Sequence, residues 1–439
     1  MEPAYQSWGR HPRATPRRVV TLRWRTDDAL ARAAAPVLAY GLGRSYGDVC
    51  LNDGGTLLAT RGLDRFIALD EEKGLLACEA GVSLGEILDL VEPRGLFLPV
   101  VPGTKHVTVG GAIANDVHGK NHHRAGTFGA QVAEIELLRS DGRRLVCSPS
   151  ENPELFAATV GGLGLTGLVL AAVVRLRRIP SSQLSSQAVP LRGLDEFFER
   201  SPEADAANEF TVAWIDCLAS GSKVGRGILF RGDWAEGAVT RPPRRRRRRL
   251  SVPFELPFSP LNRFTLGAFN AAYYARNRLS AGPRPVPFEP FFFPLDGVER
   301  WNRIYGRHGL LQFQCAVPPD AAPAALREML GAVASAGQGS FLAVLKTFGA
   351  ARSPGLLSFP REGATLALDF PNRGERTAAL FRELHAMVAA HGGRLYAAKD
   401  ARMSPAQFRA QHADVLDRFE AQRDPAFSSS FWRRVTSHG

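Results

Sequence analysis

Residues 101–129 of this chain read VPGTKHVTVGGAIANDVHGKNHHRAGTFG. The first half consists mostly of small residues, which leave the backbone accessible and can present successive N–H groups to an anion. The second half places His118, Lys120, His122 and His123 within six consecutive positions. Three interpretations fit this pattern: a metal site, a solvated basic loop, or a loop that surrounds an anionic cofactor.

A metal site is the weakest of the three interpretations. His118 and His122 stand four residues apart, a spacing that would place both on one face of a helix. Gly119 and Asn121 disfavour a helix, and Asp116 is the one carboxylate close to them in sequence. The five cysteines lie far apart in sequence and form no CxxC pair. We therefore expect no metal and no disulfide framework.

A second stretch of small residues, GLGRSYGD, occupies residues 41–48. Two such stretches within about 70 residues, both after predicted strands, indicate a cradle for a diphosphate. The GxGxxG fingerprint of a Rossmann fold is not satisfied, and no Walker lysine precedes a Ser or Thr. A diphosphate cofactor without a Rossmann fold, beside side chains that handle protons, indicates flavin chemistry.

The chain uses lysine very sparingly. It has 55 basic residues and a net charge of +12, but only six of the basic residues are lysines. Lysine differs from arginine because burial lowers its pKa, so that it can act as an acid or a base. Lys120, inside the histidine cluster, is therefore a stronger candidate for a chemical role than an ordinary surface lysine.

The predicted elements of the first 180 residues indicate an α+β fold. Residues 37–60 read strand, glycine-rich turn, strand, and Ser83 begins a capping box before a helix that Pro93 ends. Residues 132–148 form a predicted hairpin around an Asp-Gly turn. A short helix after Asn152 and a strand after the glycines follow. No regular βαβ alternation occurs, which argues against a doubly wound sheet.

The remainder of the chain predicts an antiparallel sheet with helices on one side. Aromatic strand-like runs, including FEPFFFPL at residues 288–295, alternate with predicted helices at residues 321–336 and 376–391. Ser404 and Pro405 predict the start of one terminal helix. No 18-residue apolar run or signal peptide is present, so a cytoplasmic location is expected.

Four motifs together carry a resemblance to a known family. They are GLGRSYGD, the histidine stretch, GGLGLTGLVL (residues 161–170) and GGRLYAAKDARM (residues 392–403). In this order they resemble the vanillyl-alcohol-oxidase type of FAD-binding oxidoreductases, and within it most closely the decaprenylphosphoryl-β-D-ribose oxidase group. The likeness extends over nearly the whole chain.

The resemblance implies an FAD-binding domain of two α+β subdomains and a substrate-binding cap with an antiparallel sheet flanked by helices. The FAD-binding domain would comprise residues 1–180, completed by residues 394–439. The cap would comprise residues 181–393, with a flexible basic loop at 237–262. Many members link FAD covalently through a histidine in the first glycine loop, which is absent here, so FAD is expected to bind non-covalently.

The resemblance also assigns a role to individual positions. The residues implied to bind FAD are Gly41, Leu42, Gly43, Arg44, Ser45, Tyr46, Gly47, Asp48, Gly103, Thr108, Val109, Gly110, Gly111, Asn115, Asp116, Val117, His118, Leu168 and Tyr396. The residues implied to be catalytic are His118, Lys120, Lys399 and Tyr46. The residues implied to bind substrate are Trp214, Gln312, Gln314, Lys346 and Phe348.

The implied reaction is the oxidation of a secondary hydroxyl of a sugar. The expected substrate is the 2′-hydroxyl of a polyprenyl-phosphoryl ribofuranose, which becomes the 2-keto sugar in the first half of an epimerisation for cell-envelope synthesis. A separate NAD(P)H-dependent reductase would complete the epimerisation. The alternative within the enzyme class is a soluble alditol or aldonolactone oxidase, of the D-arabinono-1,4-lactone type.

Six consecutive arginines, Arg244–Arg249, form the one low-complexity feature. Such a block could bind nucleic acid by neutralising phosphates, or it could be a solvated loop. It is followed by the apolar run LSVPFELPF and lies within the predicted cap. We therefore expect no nucleic-acid partner, but peripheral contact with an anionic membrane at its cytoplasmic face.

Overall fold

The computed structural model describes residues 5–237, 250–279 and 282–437. Its strands and helices are numbered here in chain order. The helices in these ranges are α1 (Leu84–Val91), α2 (Val109–Ala114), α3 (His122–Ala125), α4 (Pro153–Thr159), α5 (Leu194–Ala207), α6 (Arg263–Arg278), α7 (Phe288–Phe292), α8 (Ala322–Ala336), α9 (Glu375–Ala390), α10 (Pro405–His412), α11 (Leu416–Gln422) and α12 (Ser430–Thr436).

The N-terminal part contains two sheets. A parallel sheet has the order β1 (Arg18–Thr21), β3 (Thr56–Ala59), β2 (Val37–Tyr40), and the first glycine stretch lies in the loop between β2 and β3. An antiparallel sheet follows. Its order is β4 (Phe66–Asp70), β5 (Leu75–Glu79), β9 (Leu168–Arg175), β7 (Val132–Leu138), β8 (Arg144–Cys147). The predicted hairpin at residues 132–148 is thus confirmed as β7 and β8.

Helix α1 packs against the antiparallel sheet as its sequence pattern predicts. The Ser83 side chain accepts from the backbone N–H of Glu86, and the Glu86 carboxylate accepts from the backbone N–H of Ser83, which completes a capping box. Leu84, Ile87 and the other apolar residues of the helix are buried in one core with β5, β7 and β9. The helix ends at Val91, before Pro93, as predicted.

The second half of the chain forms an eight-stranded antiparallel sheet. Its order is β15 (Arg284–Pro287), β11 (Gln183–Leu191), β13 (Gly227–Trp234), β12 (Phe210–Ile215), β18 (Ala343–Phe348), β19 (Gly363–Pro371), β17 (Leu310–Val317), β20 (Arg394–Leu395). Short two-stranded pairs join β6 (Leu96–Phe97) to β10 (Arg177–Arg178), and β14 (Leu250–Ser251) to β16 (Val298–Glu299). Together the sheets and helices confirm the α+β class.

The eight-stranded sheet has two different faces. Helices α5, α8 and α9 cover one face, where Phe313, Leu366 and Phe370 join the largest apolar core. Helix α6 lies on the opposite face, where its Tyr273 and Tyr274 pack near Trp214 and Ile228. The prediction that all helices lie on one side is therefore incomplete, because α6 covers part of the face that carries polar side chains.

Two sequence-based element predictions are wrong. FEPFFFPL was predicted as a strand, but it contains helix α7, whose aromatic residues Phe291 and Phe292 point into one apolar cluster. Its aromatic content mimics a strand, whereas Pro290 and Pro294 would interrupt a strand's hydrogen bonds. The predicted terminal helix is divided into α10 and α11; its predicted start, with Ser404 as the cap, is confirmed.

The C-terminal residues return to the N-terminal part. Phe427 is buried with Leu58 and Leu170 of the first two sheets, whereas β20 pairs with β17 of the eight-stranded sheet. The division into domains at residues 180 and 393 stays a proposal. None of the helices in the described ranges combines the length and apolarity needed to cross a bilayer.

Candidate active site

A cavity of about 840 Å³ lies between the two glycine stretches and the polar face of the eight-stranded sheet. The backbone of residues 41–46 and Gly110 and Gly111 line one side of it. The strands β12, β17, β18 and β19 line the other side. The cavity therefore joins the predicted cofactor loops to the predicted substrate residues.

Alternation along the strands explains which side chains reach the cavity, because successive residues of a strand point to opposite faces. On β19, Thr365, Ala367 and Asp369 line the cavity, while the residues between them enter the apolar core. The register places Gln312 directly opposite Asp369 and Lys346 directly opposite Thr365. One polar face is thus built from neighbouring strands.

His118 lies at the centre of a polar cluster in the cavity wall. Lys346 Nζ is 2.8 Å from His118 Nδ1, and Gln314 Nε2 is 3.2 Å from His118 Nε2. The His118 ring packs edge-on against Phe348, with 4.9 Å between the centroids. Burial, followed by the charge of Lys346, holds the pKa of His118 well below its usual range. The imidazole is therefore neutral at physiological pH.

Three of the six lysines line the cavity, and burial lowers the pKa of each. Burial lowers the pKa of Lys346 to about 7 and that of Lys120 to about 8. Lys346 Nζ also donates to the carbonyl oxygen of Gly119 at 2.6 Å, and Lys120 Nζ donates to the carbonyl oxygen of Phe291. Both of these amino groups are therefore already held by the protein.

Lys399 is placed differently from the other two lysines. Its Nζ lies 3.9 Å from the centroid of the Tyr46 ring, in cation–π geometry. Burial lowers the pKa of Lys399 to about 8, while the charge of Asp369 acts in the opposite direction. No hydrogen bond or ion pair holds Lys399 Nζ among the described residues. Lys399 consequently presents an amino group that can be neutral and is available to a ligand.

The glycine loops fit a large, extended cofactor. A methyl group at Gly103, which lines the cavity, would meet no atom within 4 Å, so this backbone borders open space. Two buried polar atoms beside the cavity, Arg44 Nε and Asn115 Oδ1, have no hydrogen-bond partner among the described residues. A cationic donor and an amide acceptor suit the phosphate and ring groups of a dinucleotide.

The first glycine loop is joined directly to the loop that carries Lys399. The backbone N–H of Tyr46 donates to the carbonyl oxygen of Ala398 at 2.9 Å. Arg434 of α12 bonds to Asp48 at 2.7 Å and to Asp400 at 3.2 Å. The first glycine loop and the loop that carries Lys399 are therefore fixed relative to each other by these contacts.

Most predicted site residues line the cavity, but some lie behind its wall. The predicted residues in the wall are Gly41, Leu42, Gly43, Arg44, Ser45, Tyr46, Gly103, Thr108, Gly110, Gly111, Asn115, Val117, His118, Lys120, Trp214, Gln312, Gln314, Lys346, Tyr396 and Lys399. Those that do not line the cavity are Gly47, Asp48, Val109, Asp116, Leu168 and Phe348.

Four of these six residues pack against other side chains or form hydrogen bonds behind the cavity wall. Val109 and Leu168 are buried in apolar cores, and Phe348 packs against His118. Asp116 accepts hydrogen bonds from Ser353, Ser358 and the backbone N–H of Gly129.

His122, which together with His118 suggested a metal site, and His123 both contact other protein groups. His122 is buried, its ring centroid lies 4.5 Å from that of Phe348, and burial lowers its pKa to about 3. His123 Nε2 lies 3.1 Å from the carbonyl oxygen of Asn208. Among the described residues, no group of three or more His, Cys, Asp or Glu side chains is arranged to hold a metal ion.

The sequence reasoning missed Asp369, a fully buried carboxylate in the cavity wall. The signal that could have found it is the alternation of TLALDFP, which puts Thr365 and Asp369 on one face of an otherwise apolar strand. Arg276 of α6 and Arg284 of β15, which line the cavity near Tyr273, were missed as well.

Comparisons with known proteins identify the family. Residues 28–148 match the family model of the FAD binding domain. The chain is 34% identical to the decaprenylphosphoryl-β-D-ribose oxidase of Mycolicibacterium smegmatis, over 93% of this chain and 91% of that protein.

Two further relatives are also similar to this chain. An uncharacterised protein of Streptomyces coelicolor is 35% identical over 81% of this chain and all of its own length. A putative D-arabinono-1,4-lactone oxidase of Neurospora crassa is 30% identical over 36% of this chain and 28% of its own. Because the first two likenesses span most of both chains, this protein is an FAD-dependent oxidoreductase that belongs to the decaprenylphosphoryl-β-D-ribose oxidase family.

Proposed function

We propose that this enzyme oxidises the 2′-hydroxyl of a polyprenyl-phosphoryl ribofuranose to a keto group. The observation that supports this most is the cavity, where Lys399, Lys346 and His118 meet the glycine loops. The name of the Mycolicibacterium smegmatis relative, a decaprenylphosphoryl-β-D-ribose oxidase, supports the choice of a lipid-linked ribose over other alcohols. The keto product requires a reductant for the second half of an epimerisation, so we propose a separate NAD(P)H-dependent reductase as the partner enzyme.

FAD would be held by the backbone of residues 41–46 and 108–111, by Arg44 and by Asn115. When bound, FAD supplies the acceptor for the hydride that leaves the alcohol carbon. Residues 41–48 contain no histidine, so we propose that the cofactor is held without a covalent bond. The protein's own contribution is to position the hydroxyl, to exclude water from the cavity and to receive the hydroxyl proton.

We assign the proton acceptor to Lys399, assisted by His118. Lys346 and Lys120 already donate to backbone carbonyls, whereas Lys399 Nζ faces the cavity above Tyr46. A base works best when its pKa lies near the working pH, and burial brings the pKa of Lys399 to about 8. The face of the Tyr46 ring would stabilise the ammonium group that forms on Lys399.

Lys346, Lys120 and Gln314 would hold the sugar and its phosphate. Lys346 and Gln314 engage the two ring nitrogens of His118, so the imidazole orients both side chains towards the cavity. Trp214 and Phe348 would then shape the apolar surroundings of the pocket.

The rate of flavin reduction should rise with pH. The neutral amine of Lys399 is the reactive form, and burial lowers the pKa of this lysine from 10.5 to about 8. The neutral fraction therefore grows as pH rises through about 8, and the rate should rise between about pH 7 and 9 before it levels off. Stopped-flow measurement of flavin reduction at saturating substrate would show this.

The same measurement on Asp369→Asn tests the assignment. The Asp369 charge favours the ammonium form of Lys399, so its removal should move the midpoint to lower pH. A rate that stays flat or falls over this range would contradict a lysine base.

We also propose peripheral contact with an anionic membrane. The described part of the segment before and along α6 exposes large apolar side chains: Leu250 (71%), Phe254 (65%), Phe258 (74%), Phe264 (77%) and Leu279 (82%). Phe269 of the same helix is exposed and also lines the cavity, so this surface borders the entrance. The Arg244–Arg249 block lies outside the described residues, as do residues 238–249 of the proposed basic loop as a whole.

Binding to anionic liposomes should therefore depend on these side chains. Replacing Phe258 and Phe264 together by Ser should weaken binding by about tenfold or more, since each buried phenylalanine contributes roughly 1.5–3 kcal/mol. Phe66→Ser, at an exposed phenylalanine of β4, is the matched control and should bind like the parent enzyme. Sedimentation with phosphatidylserine vesicles measures the effect, and equal binding by all three proteins would exclude this surface.

A further inference from the structure

Asp369 and Gln312 are neighbouring polar side chains in the cavity wall, and the Gln312 side chain is also hydrogen-bonded to Tyr46. Gln312 Nε2 donates to Asp369 Oδ1, which fixes the orientation of both side chains. Asp369 Oδ2 and Gln312 Oε1 have no hydrogen-bond partner among the described residues, and both side chains line the cavity. A buried acceptor without a partner costs about 1–3 kcal/mol, so a ligand that donates a hydrogen here is favoured.

The side chains around Asp369 Oδ2 and Gln312 Oε1 indicate which kind of ligand group would donate a hydrogen bond to them. Lys399 and Tyr46 line the same part of the cavity, and the Asp369 charge affects the pKa of both side chains. Tyr305 lies behind the wall and also senses the Asp369 charge. No ion pair joins Lys399 to Asp369 among those found in the described ranges. A hydroxyl group suits these acceptors, because it can donate its hydrogen to them while a neighbouring hydroxyl faces Lys399.

We propose that Asp369 and Gln312 form a hydroxyl-binding subsite beside Lys399, which selects substrates that carry two neighbouring hydroxyls. One hydroxyl faces Lys399 and is oxidised, and its neighbour donates to Asp369 Oδ2. This deepens the proposed function and rests on it: the substrate class becomes a vicinal diol, as in the 2- and 3-positions of a ribofuranose. Asp369 is thereby a specificity-determining residue that the family motifs did not predict.

The fold alone gives little reason for this carboxylate. Asp369 is fully buried and burial raises its pKa to about 7, and a buried carboxyl group destabilises a protein unless hydrogen bonds compensate it. A site built to bond a substrate hydroxyl rejects an analogue without that hydroxyl by about 10⁴-fold. The carboxylate is therefore explained by discrimination between substrates.

The experiment compares two substrates across matched variants of the holoenzyme. For the wild-type enzyme, kcat/KM should be about 10³–10⁴-fold higher for polyprenyl-phosphoryl ribose than for its 3-deoxy analogue. Asp369→Asn keeps the shape but replaces the acceptor with a donor, and should reduce this ratio to within about tenfold. Asp195→Asn, the same exchange at an exposed carboxylate of α5 outside the cavity, should keep the wild-type ratio. Gln312→Leu, which removes the second acceptor, should also reduce it.

Calorimetric binding of both compounds to the oxidised enzyme gives a readout independent of turnover. The variants should lose affinity for the ribose compound but not for the 3-deoxy compound, with flavin content and melting temperature as checks on folding. An unchanged ratio in both Asp369→Asn and Gln312→Leu would overturn the subsite. Equal binding of both compounds by the wild-type enzyme would also overturn the subsite. Tighter binding of the ribose compound than of the 3-deoxy compound, without reduction of the flavin, would contradict only the proposed function.

Discussion

Lys399→Met should reduce the rate of flavin reduction by roughly 10³–10⁴-fold, the upper range for loss of a general base. The expectation rests on geometry, because Lys399 is the cavity lysine whose amino group is not held by a backbone carbonyl in the described structure. Methionine preserves the length and packing of the side chain but removes the proton acceptor. Anaerobic stopped-flow measurement with saturating substrate gives the rate directly.

Two further variants separate a base from a simple positive charge. Lys399→Arg keeps the charge but cannot release its proton at physiological pH, so it should be impaired almost as strongly as Lys399→Met. Lys223→Met, at an exposed lysine outside the cavity, should behave like wild type. Near-normal activity of Lys399→Arg would show that Lys399 acts through charge alone and would refute the assignment of the base.

Gly47→Ala should produce a protein that binds FAD about 100-fold more weakly. A methyl group at this position would lie 1.6 Å from the carbonyl oxygen of Asp400, which belongs to the backbone and cannot rotate away. Overpacking of this kind costs about 3 kcal/mol, equivalent to roughly 100-fold in affinity. The first glycine loop and the Lys399 loop would have to separate, although Gly47 itself lies behind the cavity wall.

The flavin-to-protein ratio and a fluorescence titration with FAD measure this effect. Gly331→Ala is the matched control, because a methyl group at Gly331 of α8 meets no atom within 4 Å. This change should leave FAD binding intact and stabilise the helix by up to about 1 kcal/mol. Normal FAD affinity of Gly47→Ala would show that contact between the two loops is not needed to hold the cofactor.

The parts of the fold with local signals could be predicted from the sequence. The Ser83 capping box and the hairpin at residues 132–148 depend on residues close together in the chain, and both were predicted correctly. The helix at Phe288–Phe292 was not, because its aromatic residues are buried by distant contacts with Phe97, Phe210 and other residues. The spacing of apolar residues along the chain does not reveal contacts between residues that are far apart in sequence.

In the candidate site, too, residues with a signal in the sequence were predicted, whereas residues that depend on distant contacts were not. The scarcity of lysine pointed to Lys120, and the family resemblance added Lys346 and Lys399; the structure brings all three to one cavity. Asp369 was missed because its importance depends on register: Gln312 stands opposite it on a strand some 57 residues away in sequence. The sequence could not show that Asp48 and Phe348 support the site from behind its wall.

Anaerobic mixing of the purified holoenzyme with polyprenyl-phosphoryl ribose decides whether this enzyme oxidises a lipid-linked sugar. We expect the yellow absorbance of the oxidised flavin to be lost in a single turnover, and D-arabinono-1,4-lactone to have little effect at the same concentration. Bleaching by the lactone alone would instead make the enzyme an aldonolactone oxidase. A flavin that stays oxidised with the lipid-linked sugar would contradict the proposed function.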